Sequence, residues 1–214
     1  MKTHALLAFS FSFFVTLFAF TRAEYIYDSD GDIVNNGGNY YILPPAYGGT
    51  AIEGAAVVKG QSGSCSLAVV AVVSYDKGWA AKIATPYPLK YITNDYPLNI
   101  SFASLPSNTC TNTSSWTVTN IPGFDGDPVM VGKPQEFSVP RSGYFYIKKY
   151  DSTQFYKFAF CYSTSSCGYV TLKADATHRS TRLVVTRDRS VQPLVFKLVK
   201  ASGEDVDSGI SMVV

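Results

Sequence analysis

The chain has 214 residues, a formal net charge of +2 and a charged fraction of 16%. A charge so close to balance is untypical of a nucleic-acid-binding protein, so no nucleic-acid partner is expected. Aromatic residues make up 14% of the chain and helical periodicity is scarce, which predicts an all-β fold.

Residues 1–23 are typical of a secretory signal peptide. Lys2 precedes an almost wholly apolar run from Ala5 to Phe20, and Thr21 and Ala23 place small residues before a cleavage point. The run is shorter than the roughly 20 residues that a membrane span needs. We therefore expect a secreted protein, extracellular or vacuolar by the secretory route, with no membrane contact after cleavage. The mature chain, residues 24–214, has the length of one domain.

The mature chain begins with short strands separated by turns. Ile26 and Val34 lie on either side of an Asp-Gly turn, in which Gly31 can take a positive φ without steric cost. Residues 36–38, Asn-Gly-Gly, are a second turn signal, and residues 40–43 then have strong β-propensity.

Further strands are predicted where apolar or alternating residues occur between turn signals. They are residues 66–73, 80–83, 98–102, 116–119, 144–148, 156–161, 182–186 and 194–199. Residues 46–63 and 123–132 are predicted to be connections because glycine or other turn residues are frequent there. Residues 201–214 are expected to form a loosely held tail. From the residues alone, this spacing of short strands fits a sandwich or a barrel.

The four cysteines of the chain are expected to be oxidised, since the count is even and the protein is exported. They are Cys65, Cys110, Cys161 and Cys167. Four cysteines allow three pairings, and spacing alone does not decide among them. The last two are close enough in sequence to be joined across a short turn.

No arrangement of residues typical of an enzyme is visible. His178 is the only histidine of the mature chain, and no nucleophile-elbow motif is present. We interpret His178 as an exposed turn residue and expect no enzymatic activity. The arginines near it are interpreted as a solvated surface rather than a phosphate site, and they are Arg179, Arg182, Arg187 and Arg189.

The acidic turn at the start of the mature chain does not predict a metal site. An EF-hand loop needs Gly at position 6 and Glu at position 12. Counting from Asp28 puts Gly31 at position 4 and Asn39 at position 12. Asp28, Asp30 and Asp32 are therefore interpreted as turn residues, and neither a metal nor a cofactor is predicted.

Two N-x-[ST] sequons are candidate glycosylation sites. Asn99 lies in a predicted strand, whereas Asn112 lies in a connection next to Cys110. Asn112 is therefore expected to be the better acceptor.

The pattern Ile26-x-Asp28-x-x-Gly31-x-x-Val34, followed by Tyr40-x-Ile42, resembles the entry signature of the plant Kunitz-type inhibitor family, the soybean trypsin inhibitor kind. Similar blocks follow in the family's order as far as residue 199. They include Cys65-Ser-Leu-Ala-Val-Val70, Thr85-Pro-Tyr87, Tyr156-Lys-Phe-Ala-Phe-Cys161 and Arg182-Leu-Val-Val185. The resemblance implies a β-trefoil, a six-stranded barrel capped by three hairpins, with disulfides Cys65–Cys110 and Cys161–Cys167.

The same resemblance implies that residues 85–91 form a rigid, substrate-like loop that binds a serine-type endopeptidase. The loop consists of Thr85, Pro86, Tyr87, Pro88, Leu89, Lys90 and Tyr91. Pro86 and Pro88 fix two φ angles and so stiffen it. In the family an asparagine of the entry segment supports the loop from beneath, and Asn36 has that position here. A monomer that needs no cofactor is expected.

The sequence departs from the family's trypsin inhibitors at one position. Pro88 stands where they carry Arg or Lys, the primary-specificity residue, and a shifted register would present Leu89 or Lys90 instead. Proline cannot reach the carboxylate at the base of the trypsin pocket, so trypsin inhibition is expected to be weak or absent. The alternatives to inhibition are a non-inhibitory trefoil module that binds carbohydrate or another ligand, and a storage or defence protein.

Overall fold

The computed structural model describes residues 24–45, 50–59, 65–73, 77–106, 109, 111–151 and 154–202. The predicted signal peptide lies outside these residues, as does residue 203 onward of the predicted tail. Ala201, at the start of that tail, donates its N–H to the carbonyl of Asn39 at 3.0 Å. Within the described residues, no helix is long and apolar enough to cross a membrane.

The described residues form twelve strands and one short 3-10 helix, Pro134–Glu136, which lies between β7 and β8. The strands are β1 (Gly38–Leu43), β2 (Thr50–Lys59), β3 (Cys65–Val73), β4 (Ala81–Ala84), β5 (Asn99–Phe102), β6 (Trp116–Val118), β7 (Asp127–Val131), β8 (Tyr144–Lys149), β9 (Tyr156–Ser163), β10 (Ser166–Asp175), β11 (Ser180–Thr186) and β12 (Val195–Lys200).

Six of the strands close into a barrel. β1 pairs with β4 and β12, β4 with β5, and β9 with β8 and β12, all antiparallel. A bridge between Leu98 and Phe145 joins the β5 side to β8 and completes the ring. The other six strands form the hairpins β2–β3, β6–β7 and β10–β11, which pair with one another through β3, β7 and β11. The predicted all-β fold and β-trefoil architecture are confirmed.

Aromatic side chains fill the core of the barrel. Trp116 makes edge contacts with Phe102, Phe145 and Phe158, with ring centroids 5.5–6.3 Å apart. The Phe158 ring stacks on Phe196 at 4.3 Å. Burying a side chain of this kind contributes about 1.5–3 kcal/mol. β5, which carries Phe102, is therefore held firmly by the core.

Two segments predicted as connections contain strands, so those predictions were wrong. Most of residues 50–59 pairs with β3, from Thr50 opposite Val73 to Lys59 opposite Cys65. The many small residues of β2 have weak β-propensity, but the partner strand overrides it. β7 follows a turn in which Gly126 has φ of +92°, and a Cβ there would lie 2.4 Å from the Val184 side chain. β7 was not predicted from the sequence because turn residues flank its short, buried apolar run.

Strand β10 was not predicted from the sequence, and its pairing with β11 changes the interpretation of the arginines. Arg182 is 2% exposed rather than solvated, and its guanidinium forms an ion pair with Asp175 at the end of β10. His178 lies in the turn between the strands, exposed as predicted, with Nδ1 2.8 Å from the same carboxylate. We call Asp175, His178 and Arg182 the tip cluster.

The tip cluster holds a buried charge. Burial favours the protonated form of Asp175, but the hydrogen bonds from His178 and the charge of Arg182 outweigh it and hold the pKa of this carboxyl below its ordinary value. Burial also lowers the pKa of Arg182, but an arginine starts so high that it stays charged. The hairpin therefore ends in an ion pair at neutral pH.

The structure contains the Cys161–Cys167 disulfide, which joins β9 to β10. Cys110 lies outside the described residues, so the Cys65–Cys110 pairing remains a prediction.

Candidate functional site

The predicted loop lies between two barrel strands that hold its base. β4 and β5 are paired from Ala81 opposite Phe102 to Ala84 opposite Asn99, immediately before the loop leaves the sheet. Ile83 on β4 and Ile100 on β5 are buried in the core. The start of the loop and the end of its return path are therefore fixed by the barrel.

The entry segment, residues 24–37, lies beside the end of the loop, where the chain returns to the barrel. Ile26 donates its N–H to the Ile92 carbonyl at 3.1 Å, and Ile92 donates to Val34 at 2.9 Å. All three side chains are buried in the core. The entry signature has apolar residues at these positions because their buried side chains, together with the backbone hydrogen bonds, attach the end of the loop to the barrel.

The turn that leads into β1 needs two glycines. Gly37 has φ of +78°, which only glycine takes without strain. At Gly38 a Cβ would lie 2.7 Å from the Tyr40 ring. The buried Tyr40 hydroxyl accepts the N–H of Asn35 at 2.9 Å. The turn is thereby closed tightly, and Asn36 is held next to the point where β4 ends.

Asn36 uses its whole side-chain amide on the loop. Its Oδ1 accepts the N–H of Thr85 at 2.9 Å, and its Nδ2 donates to the carbonyls of Leu89 at 2.8 Å and Tyr87 at 3.2 Å. An asparagine side chain offers one acceptor oxygen and two donor hydrogens. One residue therefore ties the loop down at three backbone positions.

The carbonyl groups of the loop are used unequally. The Tyr87 carbonyl also accepts the N–H of Leu89 at 2.8 Å, and the Lys90 carbonyl accepts the backbone N–H of Asn36 at 2.9 Å. The Pro88 carbonyl accepts no hydrogen bond from any of the described residues. Between Tyr87 and Lys90 it is thus the one carbonyl that the described part of the chain leaves available to a binding partner.

The two prolines restrict more than their own φ angles. Each also disfavours the helical region for the residue before it, so Thr85 and Tyr87 are biased to extended conformations. Thr85 is buried at 7% exposure, whereas Pro86, Pro88 and Tyr87 are exposed, the last at 47%. The loop is therefore a stiff, protruding segment that turns at Pro88, where the Leu89 N–H is bound to the Tyr87 carbonyl.

Aromatic contacts lie on either side of Pro88. The Tyr87 ring packs on Tyr96 with centroids 5.3 Å apart, and the Tyr91 ring meets Tyr25 edge-on at 6.0 Å. Lys90 has Nζ 4.9 Å from the centre of the Tyr91 ring, and its hydrogen bond with Tyr91 raises the pKa of the ammonium group. Lys90 is therefore protonated at neutral pH, and its ammonium group lies against the Tyr91 ring.

Sequence reasoning missed the roles of Tyr25 and Tyr96. Neither lies within residues 85–91, and a contact between rings of residues distant in sequence leaves no periodic signal. The only indication was the abundance of tyrosine.

The other candidate residues that the structure describes lie in a turn or on the surface. The Asp28 carboxylate accepts the N–H groups of Asp30 and Asp32 at 3.0 Å, as expected of a turn residue. In the part of the chain that the structure describes, no group of three His, Cys, Asp or Glu residues could hold a metal ion. Asn99 and Asn112 are both exposed.

Comparison with known proteins places the chain among protease inhibitors. The profile of the legume Kunitz family, described as trypsin and protease inhibitor, matches residues 26–199. The chain is 28% identical to trypsin inhibitor A of Glycine max, covering 99% of both sequences. It is 31% identical to a chymotrypsin inhibitor of Erythrina variegata over 82% of this chain and 96% of that one. The structure of soybean trypsin inhibitor in complex with porcine pancreatic trypsin matches with a TM-score of 0.72 at 27% identity, covering 84% of this chain and 100% of the matched chain.

Proposed function

Because this chain belongs to the legume Kunitz family of trypsin and protease inhibitors, we propose that it inhibits a serine-type endopeptidase through residues 85–91. The family consists of inhibitors, which act by binding, so the chain is not itself an enzyme. Family membership also weighs against the two alternatives, a non-inhibitory binding module and a storage protein.

The observation that carries the proposal is the set of three hydrogen bonds from the Asn36 side chain to the loop. A flexible loop would lose much conformational entropy on binding, whereas a loop already held in one conformation loses little. An interface of ordinary size can then bind tightly, because contact energy is not consumed in ordering the loop. Asn36 and the two prolines together supply this preorganisation.

The proposed inhibitor has little affinity for trypsin. Selectivity of the trypsin pocket depends on a carboxylate at its base, which pairs with Arg or Lys of the bound chain. Pro88 leaves that carboxylate without a partner. Losing such an anchor commonly costs several kcal/mol, so about 10³-fold in affinity is at stake.

Pro88→Arg tests whether this loop is the inhibitory one. The variant should inhibit trypsin at least about 100-fold more tightly than the unmodified protein, because its guanidinium can reach the carboxylate. The inhibition constant is measured from steady-state hydrolysis of a chromogenic substrate.

Val191→Arg is the matched control, since Val191 is 41% exposed and lies in a different connection, between β11 and β12. It adds the same charge and should leave trypsin inhibition unchanged. If Pro88→Arg gains nothing while its circular dichroism stays that of the parent, the loop assignment is wrong. Nanomolar trypsin inhibition by the unmodified protein would instead show that the register is wrong.

We also propose that the protein is secreted, extracellular or vacuolar, after removal of residues 1–23. The apolar leader supports this, and so does the Cys161–Cys167 disulfide, because such bonds persist in oxidising compartments. Asn112 is the preferred glycan acceptor. Asn99 is paired with Ala84 in the β4–β5 ladder, next to the loop, where a glycan would crowd an incoming protease.

A further inference from the structure

The hydrogen bonds of the loop select one residue as the one presented to a protease. A bound substrate offers its carbonyl at the specificity position to the oxyanion hole. The carbonyls of Tyr87, Leu89 and Lys90 already accept hydrogen bonds from Asn36, at 2.8–3.2 Å. Among the four carbonyls from Tyr87 to Lys90, only that of Pro88 accepts no hydrogen bond from the described residues, so it is the one of these four that can enter such a site.

The two shifted registers fit less well. Leu89 is only half exposed, and its carbonyl is turned towards the Asn36 amide. Lys90 is exposed, but its carbonyl is bound to the Asn36 N–H and its ammonium lies on the Tyr91 ring. Presenting either residue would break contacts that hold the loop, whereas presenting Pro88 breaks none of them.

The chemistry of Pro88 then restricts the pocket that can receive it. Its ring is short, apolar and closed onto its own nitrogen, so it has neither a charge nor an N–H to offer. In a deep charged pocket it would leave a buried carboxylate unpaired, and in a deep hydrophobic slot it would leave an empty cavity. A small apolar pocket of the elastase kind is the one that such a side chain fills.

Resting on the proposed inhibitory function, we infer that the target is a serine endopeptidase with a shallow, apolar primary pocket that accepts Pro88. Binding energy lost at so small an anchor is recovered at Tyr87, which is 47% exposed and backed by Tyr96 at 5.3 Å. Tyrosine on a rigid support is a frequent binding hot spot, because it buries a large area with few torsions to fix. The target therefore also has an apolar surface beside its pocket.

The experiment measures inhibition constants of the full secreted protein against four enzymes. Pancreatic elastase and a secreted proline-specific serine endopeptidase represent shallow pockets that accept small or proline residues, and trypsin and chymotrypsin represent deep ones. We expect an inhibition constant below about 1 μM for at least one of the first two, and values at least about 100-fold weaker for both of the others.

Two variants at position 88 separate pocket shape from loop stiffness. Pro88→Ala keeps a small apolar side chain, so inhibition of the shallow-pocket enzyme should stay within about tenfold of the parent. Pro88→Arg should lose that inhibition by about 100-fold or more and gain inhibition of trypsin. Circular dichroism confirms that each variant is folded.

The outcomes distinguish this inference from the proposed function. If Pro88→Arg gains trypsin inhibition while the unmodified protein inhibits neither shallow-pocket enzyme, the loop is inhibitory but the inferred target class is wrong. Tighter inhibition of trypsin or chymotrypsin by the unmodified protein also overturns the inference. If no folded variant inhibits any of the four enzymes, both the inference and the proposed function are refuted.

Discussion

Removal of the Asn36 side chain should convert the loop from an inhibitor towards a substrate. The perturbation is Asn36→Ala, made together with Pro88→Arg so that trypsin can serve as the readout. Backbone contacts beside it, from Asn36 N to Lys90 O and from Gly37 N to Ile83 O, remain. The barrel should therefore stay folded while the loop loses its support.

The structure sets the size of the effect. A hydrogen bond whose partners can be rehydrated is worth a net ~0.5–1.5 kcal/mol, whereas a donor left buried without a partner costs about 1–3 kcal/mol. The carbonyl of exposed Tyr87 belongs to the first class, and the N–H of Thr85, in a residue only 7% exposed, to the second. The half-exposed Leu89 carbonyl also belongs to the first class, so the three bonds together give about 2–6 kcal/mol, which corresponds to between about 30-fold and about 20,000-fold in affinity.

The assay compares trypsin inhibition constants and follows cleavage after position 88 by mass spectrometry. We expect the inhibition constant to rise by the factor above and cleavage to become faster, because in fewer molecules is the loop held in its binding conformation before the protease arrives.

Asn36→Asp is the matched control for side-chain volume. It keeps an acceptor for Thr85 but replaces the two N–H donors with an oxygen facing the carbonyls of Tyr87 and Leu89. It should therefore weaken inhibition by about 30-fold or more. If Asn36→Asp in the Pro88→Arg background inhibits trypsin as tightly as Pro88→Arg alone, packing rather than hydrogen bonding supports the loop. Inhibition constants within threefold of the parent for both variants would refute the reasoning altogether.

The sequence predicts a strand well where the local residues favour it. Residues 40–43, 144–148 and 156–161 are rich in aromatic and β-branched residues, and they lie in β1, β8 and β9. β2 was missed because its many small residues have weak β-propensity, although its partner β3 follows it along the chain, and β7 was missed because its partner β11 is remote in sequence. No local pattern carries that information.

The buried state of Arg182 was unpredictable for a related reason. Its ion-pair partner, Asp175, lies on β10, and without that strand nothing in the sequence indicates that the arginine faces a carboxylate. An isolated arginine among polar residues is ordinarily solvated. Its environment follows from the hairpin pairing and not from its neighbours in sequence.

The candidate site, too, could be predicted only in part. The loop residues and Asn36 could be named from the resemblance, because the family's motifs fix their order along the chain. Which carbonyls turn inward could not be named, since it depends on how β1 and β4 place Asn36 against the loop. That orientation is what distinguishes Pro88 from Leu89 and Lys90 as the presented residue.

Two further predictions concern parts of the molecule outside the loop. Peptide mapping of the secreted protein without reduction should find a Cys65–Cys110 bridge and an N-terminus at Glu24, and a free thiol at either cysteine would contradict the pairing. At the tip cluster, Asp175→Asn should lower the free energy of unfolding by about 3–5 kcal/mol at pH 7, because it leaves Arg182 buried without its counter-charge. The pKa of Asp175 in the folded protein lies below its ordinary value of about 4, so the ion pair stabilises fully above that value. Its contribution is lost as the pH falls through the folded pKa, and urea unfolding of parent and variant should therefore converge at acid pH. An equal difference between the two proteins at pH 7 and in acid would show that the variant acts through packing, not through the charge.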